Sequence, residues 1–106
     1  MEFINKIEIQ GIVGRATRTH TGQDVIVRFS VASERFYHDA AGNAVCETTW
    51  FGICAMKSVT PAADLVEKGK AVNVRGRLAM RRCTDAGGTD RVIPEVVATE
   101  ITLIGD

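Results

Sequence analysis

The 106-residue sequence has no long apolar run, few cysteines and no net charge. Since no run reaches the roughly 18 apolar residues that a membrane span requires, we exclude a membrane protein. The three cysteines have no Cys-x-x-Cys spacing, which argues against a disulfide framework or a zinc site. We expect them to be mostly buried, and we expect no metal and no cofactor. Thirteen basic residues balance thirteen acidic ones, so any affinity for a polyanion must come from local clusters of charge.

The sequence also lacks a recognisable catalytic motif. His20 and His38 fall in predicted turns, and neither has a cysteine, serine or carboxylate at a motif spacing. No phosphate-binding Gly-x-x-x-x-Gly-Lys run is present, and Gly87-Gly88 is not followed by a helix. Residues 1–6 have no features of a secretion signal. We therefore expect a cytoplasmic protein that is not an enzyme, folded as one domain over residues 1–106 with one small core.

Strand patterns dominate the chain. The first predicted strand is Ile4–Val13, which Gly14-Arg15 ends or redirects, and the last is interrupted by Pro94, which implies an edge position. A short helix begins at Pro61 with Thr60 as its N-cap, and Gly69 ends it in a left-handed conformation. The other predicted strands are Val25–Ala32, Cys46–Ala55, Val72–Arg82 and Val92–Ile104.

This order of elements predicts an all-β protein. Three strands, one short helix and two strands within about a hundred residues fit a five-stranded, partly open Greek-key barrel, the OB-fold, with its helix between strands 3 and 4. An SH3-like barrel has no helix at that point. Turn-rich segments at 37–45 and 84–90 predict two long loops, and we expect the first hairpin to be mobile at its tip.

The strand Val72–Arg82 has the most informative pattern. Period-two alternation puts Val72, Val74, Gly76, Leu78 and Met80 on one face. The other face carries Arg75, Arg77 and Arg81. One interpretation is a solvated sheet face whose charges prevent aggregation. The other is a surface that binds an anion.

Two aromatic residues favour the second interpretation. Single-stranded nucleic acid binds where a basic groove is combined with rings that stack on bases, at about 1 to 3 kcal/mol per base. On the second strand, alternation puts Val25, Val27, Phe29 and Val31 on one face. Phe36 shares the outward parity of Arg28 on the other face. Trp50 is the second candidate, although its strand leaves open whether the ring faces solvent or the core.

Five segments resemble the bacterial single-stranded DNA-binding protein family: NKIEIQG at 5–11, FSVASERF at 29–36, ETTW at 47–50, LVEKG at 65–69 and VRGRL at 74–78. The resemblance covers essentially the whole chain. It implies an OB-fold that assembles into dimers or tetramers and wraps single-stranded DNA. It also implies that Phe36 and Trp50 stack on bases, while Lys6, Arg81, Arg82 and nearby basic residues follow the phosphates.

The sequence departs from that family in three ways. Cys83 stands where the family usually has a tryptophan, and Ala55-Met56 stands near a usual stacking phenylalanine. The absence of two rings that stack on bases implies that this protein binds single-stranded DNA more weakly than a typical member. Met56 recovers part of one of these contacts. Because the residues stop at Asp106, the resemblance implies either a divergent, tail-less member or a chain shortened from a longer one. Members of the family usually continue beyond this point into a flexible linker and an acidic tail, which recruits replication and repair proteins.

Two functional hypotheses follow. The first is sequence-nonspecific binding of single-stranded DNA in replication, recombination or repair. Phe36 and Trp50 stack on bases in it, and the phosphates are neutralised by Lys6, Arg28, Arg35, Lys57, Arg77, Arg81 and Arg82. The second is a primosome-type or mobile-element adaptor that acts mainly through protein contacts and has weak DNA affinity. In both, the apolar first strand predicts a homo-oligomer, a dimer or a tetramer.

Overall fold

The computed structural model describes residues 2–105 and contains five strands and one short helix. The strands are β1 (Ile7–Thr21), β2 (Asp24–His38), β3 (Ala44–Met56), β4 (Ala71–Thr84) and β5 (Asp90–Ile104). The helix, η1 (Pro61–Leu65), lies between β3 and β4. Within residues 2–105, no helix is long and apolar enough to cross a membrane.

The strands form a closed barrel in the order β1-β2-β3-β5-β4, because β1 pairs with both β2 and β4. This confirms the predicted all-β, five-stranded barrel, although it is closed rather than partly open. The edge position predicted from Pro94 is wrong. β5 pairs with β4 along its length and with β3 at Ile53–Val96 and Cys54–Val97, and Pro94 lies just before that second pairing begins.

β1 bends at Gly14 instead of ending there. The pairing of β1 with β2 shifts register between Val13 and Arg15, which marks a β-bulge, and the strand then continues to Thr21. A Cβ atom at Gly14 would lie 2.5 Å from the Trp50 ring, so only glycine allows the ring to lie over the bulge. The bulge thus redirects β1 and makes room for a large side chain.

Alternating residues of the strands fill the core. Val27, Phe29 and Val31 of β2 point inward, as predicted, and pair with Ala55, Ile53 and Phe51 of β3. In β4 the buried face ends at Val74. Leu78 and Met80 continue the face predicted for Val72 and Val74, but they are 46% and 61% exposed, because β4 and β5 extend beyond the barrel.

The helix is shorter than predicted. η1 is a five-residue 3-10 helix, and Val66 is already extended at φ −74° and ψ 124°. Thr60 occupies the predicted N-cap position, but its hydroxyl makes no capping bond and instead donates to the Ala98 carbonyl at 3.3 Å. The Arg18 guanidinium donates to the Asp64 and Val66 carbonyls at 3.0 and 2.8 Å, which satisfies the end of the helix. Gly69 has the predicted positive φ, 89°.

Two hairpins project from the barrel, and we call them the β2–β3 arm and the β4–β5 arm. Their tips, residues 39–43 and 85–89, are shorter than the loops predicted at 37–45 and 84–90, because the strands pair almost to the turn. Asp39 and Asp85 each accept two backbone N–H bonds from the residues two and four positions ahead, at 2.9 to 3.0 Å. In each turn the fourth residue is a glycine, with φ of 85° at Gly42 and 80° at Gly88.

Candidate nucleic-acid interface

Phe36 and Trp50 lie on the surface of the sheet that faces away from the core, which we call the outer face. Residues paired across strands share a face of the sheet. Trp50 pairs with Ala32, and Phe36 pairs with Cys46. By alternation along β2, both pairs lie on the face opposite the buried Val31. Phe36 is 73% exposed and Trp50 is 61% exposed. The structure thus excludes the core position left open for Trp50.

The Trp50 side chain is held on one side and open on the other. Its ring lies over Gly14 at the β1 bulge, close enough that any larger residue there would collide with it. Nearby, the Arg15 backbone N–H donates to the Ser30 hydroxyl at 3.1 Å. A ring fixed in this way loses little conformational freedom when a planar ligand stacks on its exposed side.

A groove of about 310 Å³ beside Trp50 contains a cluster of three charges. The Nε atoms of Arg28 and Arg81 lie 3.5 and 3.2 Å from the same atom, Oε2 of Glu95. The Glu95 side chain is only 11% exposed. Both Nε atoms are buried without a hydrogen-bond partner among residues 2–105. Arg15, Thr17, Ser30 and Gly52 also line the groove.

The three arginines predicted to share one stripe on β4 are not equivalent. Arg75 donates to Glu8 at 2.7 Å and lies 3.5 Å from Glu100, and its hydrogen bond is the main reason that the pKa of Glu8 is lowered. Arg81 is in the groove cluster. Arg77 is exposed and makes no ion pair within the part of the chain that the structure describes. Of the three, Arg77 alone has no acidic partner among residues 2–105.

The remaining predicted cations are more dispersed. Lys57 pairs with Asp64 of the helix at 3.3 Å. Lys6 is exposed just before the row where Ile7 pairs with Gly76, near Arg77. Arg35 and Arg82 lie on the opposite face of their arms, and Arg35 stacks over Tyr37 with 4.6 Å from Cζ to the ring centroid. The structure therefore brings Phe36, Trp50, Arg28, Arg77 and Arg81 onto one face, but not Arg35, Lys57 or Arg82.

The cysteines are not mostly buried, contrary to the prediction. Cys46 is exposed, and Cys54 and Cys83 are half-buried, because all three occupy outer-face positions. Desolvation raises the pKa of the Cys46 and Cys54 thiols.

No three His, Cys, Asp or Glu side chains within residues 2–105 are grouped to hold a metal. Ala55 and Met56 stand near the position where the family usually has a stacking phenylalanine. Ala55 lies in the core and Met56 is 42% exposed, so Met56 is the one at the surface.

Glu95, Gly52 and Arg15 are among the groove residues that the sequence analysis missed. Glu95 lies 67 positions from Arg28 in the sequence, and only barrel closure brings the two together. Gly52 leaves open space above β3, since a Cβ atom there would meet nothing within 4 Å. Arg15 had one usable signal, its place directly after the glycine of the predicted bend.

The sequence model of the "Single-strand binding protein family" matches residues 4–104. The chain belongs to this family. The "Single-stranded DNA-binding protein" of Neisseria meningitidis serogroup A is 28% identical over 105 residues, which span 96% of this chain and 60% of the relative. "Single-stranded DNA-binding protein 1" of Chlorobaculum tepidum is 30% identical over 107 residues, which span 96% and 65%. This single-strand binding family member thus spans 60 to 65% of the length of these two relatives.

Solved structures support the same fold. The SSB of Plasmodium falciparum, solved in complex with ssDNA, superposes with a TM-score of 0.81 at 23% identity, covering 99% of this chain and 98% of that one. The small single-stranded DNA-binding protein from Streptomyces coelicolor gives 0.69 at 24% identity, with 97% and 95% coverage. The predicted family and the predicted OB-fold barrel are confirmed.

Proposed function

We propose that this protein binds single-stranded DNA without sequence preference through its outer face. The observation that carries the proposal is that two exposed aromatic rings, Phe36 and Trp50, lie on the same face as a groove lined by arginines. Rings that stack on any base, next to cations that contact phosphates, give affinity that depends little on sequence. The names of the relatives agree with this function.

The arrangement suggests a path for the strand. Phe36 and Trp50 stand on neighbouring strands in rows four residues apart, about 13 Å along the sheet at roughly 3.3 Å per residue. The groove with Arg28 and Arg81 begins two residues beyond Trp50, at Gly52. Bases would stack over the two rings while the backbone crosses the groove toward Arg77. Lys6 extends the cationic path. Arg35 and Arg82 contribute if the strand wraps around the arms, and Lys57 contributes if it continues toward η1.

The proposal involves no reaction and no cofactor, since binding by stacking and ion pairing alone accounts for the function. Such an activity serves DNA replication, recombination or repair in the cytoplasm, where unpaired strands arise, with replication or repair proteins as further partners. A homo-oligomer is part of the proposal. Ile7–Gln10 pair with β4 on one side, and no strand within residues 2–105 pairs with their other edge. The neighbouring Phe3 and Ile4 are almost fully exposed.

The test is a titration of fluorescently labelled oligo-dT of graded lengths, followed by anisotropy at several salt concentrations. If four or five phosphates are neutralised, log K should fall with log salt at a slope of roughly 3, at about 0.7 per phosphate. A blunt duplex of the same length is the control and should bind much more weakly. Absence of binding, or affinity that does not change with salt, would contradict the proposal.

A second candidate is an adaptor that acts mainly through protein contacts. It is favoured by the ion pairs that neutralise Arg75 and Lys57, and by the replacement of two stacking rings at Cys83 and Met56. Under this hypothesis, oligo-dT binds only at low salt, and Phe36→Ala leaves the residual affinity unchanged. The same titration therefore separates the two candidates.

A further inference from the structure

Glu95 occupies an unusual place for an acidic residue on a surface proposed to bind a polyanion. Its carboxylate is almost fully buried at the floor of the groove, between the guanidiniums of Arg28 and Arg81. The two arginines come from β2 and β4, and Glu95 comes from β5, so all three side chains converge across β3 above the open floor at Gly52. Two positive charges and one negative charge leave a net charge of +1 at this point.

The contacts within this cluster are electrostatic rather than well-formed hydrogen bonds. Elsewhere on the outer face, Arg75 donates to Glu8 at 2.7 Å with good geometry. By contrast, the Nε atoms of Arg28 and Arg81 make no hydrogen bond to any described residue, although Glu95 is 3.5 and 3.2 Å away. The cluster has more donors than acceptors, which favours the entry of another anion.

We propose that Glu95 limits the affinity of this face for DNA, because it neutralises part of the arginine pair that would otherwise contact a backbone phosphate. The inference rests on the proposed function. A phosphate entering the groove finds two guanidiniums that already share one carboxylate, and it is repelled by that carboxylate at short range. Glu95 therefore acts as a built-in competitor of the ligand, and its removal should strengthen binding.

The test compares Glu95→Gln with the wild-type protein in oligo-dT titrations. The amide keeps the size of the side chain and removes its charge. We expect Kd to fall about fivefold or more at low salt, the effect of one like charge at about 4 Å in a water-like dielectric. The slope of log K against log salt should steepen by about 0.7, because a second cation becomes available to phosphate.

Glu100→Gln is the matched control. Glu100 also lies on β5 and also pairs with an arginine, Arg75, but that pair is outside the groove. Both variants change the net charge by one unit, so the control measures the general effect of charge. Glu95→Met carries the same test if Glu95→Gln unfolds, since it also removes the charge from a side chain of similar length.

The outcomes are distinguishable. Tighter binding by Glu95→Gln than by Glu100→Gln, with the steeper slope, supports the inference. Equal effects of the two variants, or weaker binding by Glu95→Gln, overturn it and leave the proposed function standing if the wild-type protein binds. If neither wild-type protein nor Glu95→Gln binds oligo-dT, the proposed function fails, and this inference fails with it.

Discussion

Replacing Phe36 with alanine isolates the contribution of base stacking. The ring is 73% exposed, so about a quarter of its surface is buried against the β2–β3 arm. For a phenylalanine of about 200 Å² this is roughly 50 Å², worth at most about 1.3 kcal/mol of unfolding free energy. A base stacked on the ring contributes about 1 to 3 kcal/mol, so affinity should fall between about 5-fold and 150-fold.

The assay is anisotropy of labelled oligo-dT at several salt concentrations, together with thermal unfolding. Since Phe36→Ala removes no cation, the slope of log K against log salt should not change, and only the affinity at each salt concentration should fall. Phe36→Tyr is the matched control, because it keeps an aromatic ring and should retain most of the affinity. An affinity of Phe36→Ala within twofold of wild type, with the fold intact, would remove Phe36 from the site.

Three further predictions concern other parts of the structure. Arg77→Ala should weaken binding to all oligonucleotides alike and reduce the salt slope by about 0.7; an unchanged slope would show that Arg77 contacts no phosphate. Gly88→Ala, at φ 80°, should lower the free energy of unfolding in urea by about 1 kcal/mol, and a stability equal to wild type would refute the turn geometry. The pKa of Asp85 is lowered chiefly by its hydrogen bond from Arg91, so its contribution to stability should be present above the unfolded pKa, near 4, and be lost as pH falls through the lower folded value. Asp85→Asn should therefore reduce the acid sensitivity of unfolding below about pH 4, and an identical pH profile for the two proteins would contradict this.

Local pattern was sufficient to predict much of the barrel. The alternation of Val27, Phe29 and Val31 predicted the buried face of β2, and the glycine at 14 predicted the bend in β1. Gly69 predicted the left-handed residue that follows the helix region. These features depend on the residues themselves and their immediate neighbours. The length of the helix was not predictable in this way, since tertiary contacts from Arg18 hold its end.

The candidate site was predictable only in part. Parity along β2 placed Phe36 outward, and the same rule places Arg35 and Arg82 on the opposite faces of the arms, where the structure has them. Their inclusion in the site followed the family resemblance rather than the alternation. The Glu95 cluster depends on barrel closure between β3 and β5, which no local pattern encodes.

The most direct test of the central claim is the fluorescence of Trp50, the only tryptophan in the chain, during titration with oligo-dT. A base stacked on the exposed side of the indole should quench its emission strongly, with a midpoint that matches the anisotropy titration. Binding that leaves the Trp50 emission unchanged would show that the strand does not cross the outer face at this ring, and would contradict the account.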